Sequence, residues 1–229
     1  MIEEPPLLTI RRRIQRPDPA RLASLAGVQT GNLVDAMDGR GALHYAIKPV
    51  DPKRAAFVGP ALPCEPGPSD NLAILAAIAI AEPGDVIVAA GDGFTGTAIV
   101  GDNMAAMARN RKVAAIVADG LMRDSPGLIA VGLPMFARGI TPNSCVKSGP
   151  GRIGLPVVVG GVTVEAGDIV VGDLDGVVVI PRAQLDAVLD RLAAVRRAEA
   201  ALQEKISKGL DCPEAVRALL GSDRVRYID

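Results

Sequence analysis

At 229 residues, with 49% hydrophobic and 22% charged side chains, the chain is long enough to bury a sizeable core and has the balance of a soluble globular domain. A net charge of −1 does not favour non-specific binding to a polyanion, and 2% aromatic content argues against a base-stacking surface, so the expectation is no nucleic-acid partner. Three scattered cysteines, Cys64, Cys145 and Cys212, lie in no CxxC spacing, which argues against a disulfide framework or a thiolate zinc site and for a reducing cytoplasm.

Residues 1–20, rich in Pro and Arg, read as an irregular arm whose Arg11–Arg13 cluster is an exposed cationic face. Ala20–Leu25 and Gln29–Met37 predict two short helices, the second with Thr30 as its cap, before a turn at Asp38-Gly39-Arg40-Gly41. Phe57–Leu62 predicts a strand and the following CEPGPSDN a loop, with Asp70 or Asn71 capping a helix over Leu72–Ala81. That helix is apolar all round, which implies deep burial, but it is too short to span a bilayer. Val86–Ala90 is a buried strand, and a glycine-rich loop, GDGFTG at 91–96, leads to Gly101–Asp124.

Gly101–Asp124 organises the rest. Met104, Ala105, Met107 and Ala108 recur at helical spacing, with Arg109 and Arg111 facing outward. Val113–Ala118 is a continuous apolar run suited to a strand buried on both faces. Asp119-Gly120 ends it, placing Arg123 and Asp124 on the loop past its carboxyl end, where α/β folds hold ligands. Beyond it, Pro134–Arg138, Val157–Val159, Val162–Val164, Ile169–Gly172 and Val177–Ile180 predict short strands separated by Gly-Asp turns, an antiparallel or mixed layer. A C-terminal helical extension covers 183–229: a long helix from about Ala183 to Lys208, stopped by Gly209, and a short piece at Pro213–Leu220. No break in composition divides residues 1–229, so the expectation is one layered α/β domain.

The lone histidine, His44, excludes a multi-histidine metal site and is read as a surface or half-buried residue. GDGFTG matches neither phosphate-loop spacing, and it lacks the lysine that grips phosphate. What remains is carboxylate and guanidinium: Asp102, Asp119, Arg123, Asp124 and the Asp173/Asp175 pair. Carboxylates without histidine suit a hard ion such as Mg²⁺ or Mn²⁺, and Arg123 offers a planar fork for a substrate carboxylate. An Arg–Asp salt bridge at a loop explains the same residues equally well. Asp173-Leu174-Asp175-Gly176 reads as a β-turn.

Longer pieces carry a resemblance. NLAILAAIAIAEPGDVIV, GDNMA, the frame Asp102…Arg123-Asp124, GLPMFARGITP and VKSGPGRIGLPVVVGGVTVEAGDIVVGDLDGVVVIP together resemble the RraA-like family over residues 27–209. The family includes class II pyruvate aldolases acting on 4-hydroxy-4-methyl-2-oxoglutarate and 4-carboxy-4-hydroxy-2-oxoadipate. Some members carry a menaquinone methyltransferase label, which is rejected because no stretch resembles a methyl-donor site.

The resemblance implies a single-domain αββα sandwich assembled as a homotrimer or homohexamer, with its site between subunits. It implies that Asp124 ligates a divalent metal, Mg²⁺ or Mn²⁺, and that Arg123 grips substrate. Asp102 positions a water, and the backbone N–H groups of Asn103 and Met104 hold the pyruvyl carboxylate. Glu199, or less favourably Glu204, on a neighbour's C-terminal helix lies in the metal's outer sphere. The implied activity is cleavage of 2-oxo acids to pyruvate through a metal-stabilised enolate, with oxaloacetate decarboxylation at the same site. The alternative within the family is a protein inhibitor of an endoribonuclease, without catalysis.

Overall fold

The computed structural model describes residue 4 and residues 6–228. Its first half comprises β1 (Leu8–Ile10), α1 (Pro19–Ala23), α2 (Thr30–Ala36), β2 (Lys48–Pro49), β3 (Phe57–Glu65), α3 (Leu72–Ile80), β4 (Val86–Ala89), β5 (Ala98–Val100) and α4 (Asp102–Asn110). There follow β6 (Ala115–Ala118), β7 (Leu121–Met122), α5 (Ser125–Val131), β8 (Met135–Ala137), β9 (Gly139–Ile140), β10 (Gly151–Ile153) and β11 (Val157–Val159). The chain closes with β12 (Val162–Val164), β13 (Ile169–Gly172), β14 (Val177–Ile180), α6 (Leu185–Ser207) and α7 (Glu214–Leu220).

Strand β3 is the hinge of the architecture. Its residues Ala61–Cys64 pair parallel with β4, whereas Phe57–Pro60 pair antiparallel with β13 on the other edge. One strand thereby belongs to two layers of a 9-stranded sheet. The alternation of side chains along each strand then builds separate cores. Ile87 and Ile116 face one way, onto Ala73, Ile74 and Ala77 of α3 and Met104, Ala105 and Ala108 of α4. Val86, Val88, Ala115 and Val117 face the other way, onto Val157, Val159, Val170 and Val179. Ile169 and Val171 turn to a third core with Leu33 of α2 and Leu185, Val188 and Leu192 of α6. Helix, sheet, sheet and helix therefore stack in that order, the expected αββα sandwich. Each fully buried Val or Ile in these layers contributes roughly 1.5–3 kcal/mol.

Several local expectations change. Residues 8–10 of the arm form β1, parallel to β10, while Arg11–Arg13 stay exposed. Strand β3 runs three residues past Leu62, through Pro63, because its last positions find partners in β4 and β10. Thr30 does not cap α2; it lies inside the helix, and its N–H and hydroxyl both donate to Asp173, 2.7 and 2.8 Å away. Asp173 thus serves the fold, consistent with its turn, in which Asp175 N–H also donates to Asp173 Oδ1 at 2.9 Å. Asp70 Oδ1 accepts from Leu72 N–H at 2.8 Å at the head of α3, and Asn71 makes no cap bond. Helix α3 buries Ala73, Ile74, Ala77 and Ile78, but Ile80 is 41% exposed. Among the described residues, no helix is long and apolar enough to cross a membrane.

Candidate active site

The site does not lie where the long apolar strand ends. The carboxyl end of β6 leads to Asp119, whose two carboxylate oxygens are both taken: Arg138 Nε donates to Oδ1, and Gly160 N–H donates to Oδ2 at 2.7 Å. Asp119 is buried and Arg138 half-buried, and the pair is closed. His44 is exposed beside it, its ring against Tyr45. The glycine-rich loop folds here too, with Gly93 N–H donating to Asp119 O at 3.0 Å.

Beyond Asp119-Gly120 the chain enters a second, 3-stranded sheet of β5, β7 and β9, all parallel. The carboxyl ends of β5 and β7 deliver Gly101-Asp102 and Arg123-Asp124 side by side, and Arg123 N–H donates to Val100 O at 3.0 Å to fix them. The expected frame is therefore assembled, with Asp102 as the first residue of α4 rather than ahead of it. Asp102, Asn103, Met104, Arg123 and Asp124 line one cleft of about 230 Å³ with Asn71, Ser144, Cys145 and Lys147. Met107, expected on the inner face of α4, is 49% exposed and also lines this cleft.

Arg123 Nε stands 3.2 Å from Asp124 Oδ2, with the two side chains 39% and 43% exposed. Arg123 Nη1 also donates to Ser144 Oγ. Asp124 adopts a left-handed backbone, φ 65° and ψ 44°, at the head of α5. A non-glycine residue held there stores roughly 1–3 kcal/mol of strain, the kind of cost found at ligand sites. Leu128 N–H donates to Asp124 O at 2.9 Å and helps hold the conformation.

Two glycines that sequence reasoning did not single out make this packing possible. A Cβ on Gly101 would stand 2.9 Å from Asp124 Oδ2 and 3.3 Å from Arg123 Nε. A Cβ on Gly127, in the first turn of α5, would collide with the Asp102 carboxylate. Asp102 Oδ1 in turn accepts from Asn103 N–H at 2.6 Å, so that N–H is engaged by its neighbour in this conformation. Helix α4 has no side-chain cap at Gly101.

Among the described residues, no three His, Cys, Asp or Glu side chains converge as a metal cage. The cleft offers two carboxylates, Asp102 and Asp124, among amide and hydroxyl groups. Such a set fits a hard ion that keeps several waters and takes its other ligands from substrate, Mg²⁺ or Mn²⁺. Cys145 does not alter this: burial pushes its thiol pKa up and favours the neutral form. Glu199 is not among the residues lining the cleft; within its own chain its Oε2 accepts from Asn32 Nδ2 at 2.8 Å. Glu204 pairs with Lys208 at 2.5 Å. Lys147 lines the cleft, whereas Arg138 and the glycine-rich loop do not. A larger cavity of about 760 Å³, beside Asp92 and Phe94, contains none of the frame, and its Arg152 is paired with Glu65.

The RraA-like family, described as Aldolase/RraA, matches residues 30–179. A protein of Halalkalibacterium halodurans named "Putative 4-hydroxy-4-methyl-2-oxoglutarate aldolase" is 39% identical over 193 residues, 84% of this chain and 90% of its own. The structure of Streptomyces coelicolor RraAS2, described as an unusual member of the RNase ES inhibitor RraA family, matches with a TM-score of 0.74 and 27% identity, covering 83% of this chain and 100% of that one. The RNA-processing inhibitor RraA from Thermus thermophilis matches with a TM-score of 0.62 and 29% identity, over 67% of this chain and 93% of its own.

Proposed function

The chain belongs to the RraA-like family, and from that premise we propose that the Asp102–Arg123–Asp124 cleft cleaves 4-hydroxy-4-methyl-2-oxoglutarate-type acids to pyruvate and decarboxylates oxaloacetate. One observation carries the reading: an exposed, under-bonded Arg–Asp pair meets a second carboxylate in a single cleft at the ends of β5 and β7.

Arg123 presents its guanidinium to the carboxylate of the 2-oxo acid, where a planar fork binds bidentately. The N–H groups of Met104 and Asn103, in the uncapped first turn of α4, hold the same carboxylate, the Asn103 N–H shared between it and Asp102 Oδ1. Asp124 holds the divalent ion, Mg²⁺ or Mn²⁺. When bound, that ion supplies Lewis-acid stabilisation for the negative charge that develops on the keto oxygen. Asp102 holds a water that takes the C4 hydroxyl proton as the C3–C4 bond breaks, so that C4 leaves as the carbonyl of the second product. The electron pair stays with C3, and the same water returns a proton there to complete pyruvate. With oxaloacetate, CO₂ leaves instead and only the reprotonation is needed. The purified protein should release pyruvate from both substrates, lose this with EDTA and regain it with Mg²⁺ or Mn²⁺. Full turnover after thorough chelation would overturn the reading. Metal-insensitive inertness toward both would favour the regulator reading, which the likeness to RraAS2 supports.

We also propose that the site is shared between subunits of a homotrimer or homohexamer, with Glu199 reaching the neighbour's cleft. Beyond the buried Leu192, the C-terminal extension leaves Leu202, Ile206, Val216 and Leu219 40–54% exposed, an apolar surface suited to a second copy. Inactive Asp124→Ala and Glu199→Ala chains, unfolded together and refolded as mixtures, should regain activity in roughly one site in four, as random pairing across a ring allows. A mixture as dead as its parents, under conditions that restore wild type, would sink the shared site.

A further inference from the structure

We propose that the cavity between α2, β12, β14 and α6 is a second binding site, which takes a small organic anion with an apolar body. It shares no lining residue with the Asp102–Arg123–Asp124 cleft, so the inference is independent of the aldolase reading.

The cavity holds about 530 Å³, within the range of pockets that enclose a small molecule. Its walls are hydrocarbon. Met37 at the end of α2, Val179 of β14 and Val188 of α6 are buried, and Val162 of β12 is half-buried. None of these side chains offers a hydrogen bond except the weak thioether acceptor, so the part of a guest that lies against them is apolar.

The charge is at the rim. Among the described residues three charged side chains line the cavity, Asp38, Arg40 and Arg191. Arg191 Nη1 donates to Asp38 Oδ2 at 2.7 Å, and these two charges cancel. Arg40 belongs to no ion pair among the described residues, so the cavity carries one uncompensated positive charge. Its backbone is held on both sides: Gly39 N–H donates to Val34 O and Val179 N–H donates to Gly41 O, each at 2.9 Å. Gly41 has φ 85°, and a Cβ there would stand 2.6 Å from both Met37 Cε and Val179 O, so glycine is what lets this loop lie on the cavity wall. A cation on a tethered loop beside an apolar chamber matches one chemistry: a carboxylate or sulfonate at the rim with its hydrocarbon part inside. A neutral apolar guest leaves Arg40 unused, and an inorganic anion leaves the walls against water.

The test is fluorescence titration of the full chain, as purified, with 8-anilinonaphthalene-1-sulfonate and N-phenyl-1-naphthylamine. The two dyes share their rings, differ in the sulfonate and brighten on leaving water. Wild type should bind the sulfonate saturably and about fivefold more tightly than the neutral dye, the upper end of what an exposed ion pair contributes. Arg40→Met should remove that preference by weakening the sulfonate alone, and Arg40→Lys should keep most of it. Ala187→Trp, which adds an indole to an exposed position of α6 on the cavity wall, should abolish binding of both dyes. Unchanged melting temperatures would show that these exposed positions leave the fold intact. No saturable binding by wild type, or a preference that survives Arg40→Met, would overturn the proposal. So would Ala187→Trp that binds both dyes like wild type, which would put them on the apolar surface of the C-terminal extension instead.

Discussion

The molecule contains two Arg–Asp pairs at strand ends, and they differ in one respect that matters. Asp119 and Arg138 are 7% and 21% exposed, and both carboxylate oxygens are satisfied. Asp124 and Arg123 are 43% and 39% exposed and meet at one point 3.2 Å apart, with Asp124 on a left-handed backbone. The first arrangement ties the loops after β6 and β8 to Gly160. The second leaves a carboxylate and a guanidinium with bonding capacity to spare, which is what a binding site requires. Pairing of opposite charges is therefore not the criterion; saturation is.

The sharpest way to break this contrast is to damage each pair in turn. Asp124→Asn should lower kcat/KM for pyruvate release by about a thousandfold, the several kcal/mol that a misheld ion forfeits, with no loss of thermal stability. Asp119→Ala should do the reverse in kind: it leaves Arg138 and the Gly160 N–H without their partner, costing roughly 3 kcal/mol of folding and about 10 °C in Tm. Asp124→Asn melting early, or Asp119→Ala melting like wild type, would dissolve the distinction. A smaller effect should come from Gly127→Ala. Alanine suits a helix better than glycine, so Tm should hold or rise. The added methyl displaces the Asp102 carboxylate, however, and activity should fall about a hundredfold, as misplacement by an ångström can cause. Unchanged kinetics in Gly127→Ala would show that Asp102 need not sit where it does.

Most of the layered fold was legible in the sequence because continuous apolar runs such as Val177–Ile180 and the period-3.6 pattern of α6 declare themselves. The site's frame was legible only in part. The residues of the frame were found, but β5 and β7 span three and two residues, too short for any periodicity, so the sheet that assembles them was not foreseen. The cleft was accordingly expected past β6, where the structure places the closed Asp119 pair instead. Gly101 and Gly127 escaped because their importance lies in what approaches them across the fold, which chain order does not record. The misread Thr30 is of the same kind, since its partner Asp173 is 143 positions away.

Mn²⁺ binding followed by electron paramagnetic resonance tests the central claim most directly, because it reads the ion's attachment without needing turnover. The account predicts that wild type and Asp119→Gln, at a temperature where both are folded, remove Mn²⁺ from solution alike, while Asp124→Asn leaves it free. Asp124→Asn that retains wild-type Mn²⁺ affinity would show that the exposed carboxylate is a salt-bridge partner and nothing more.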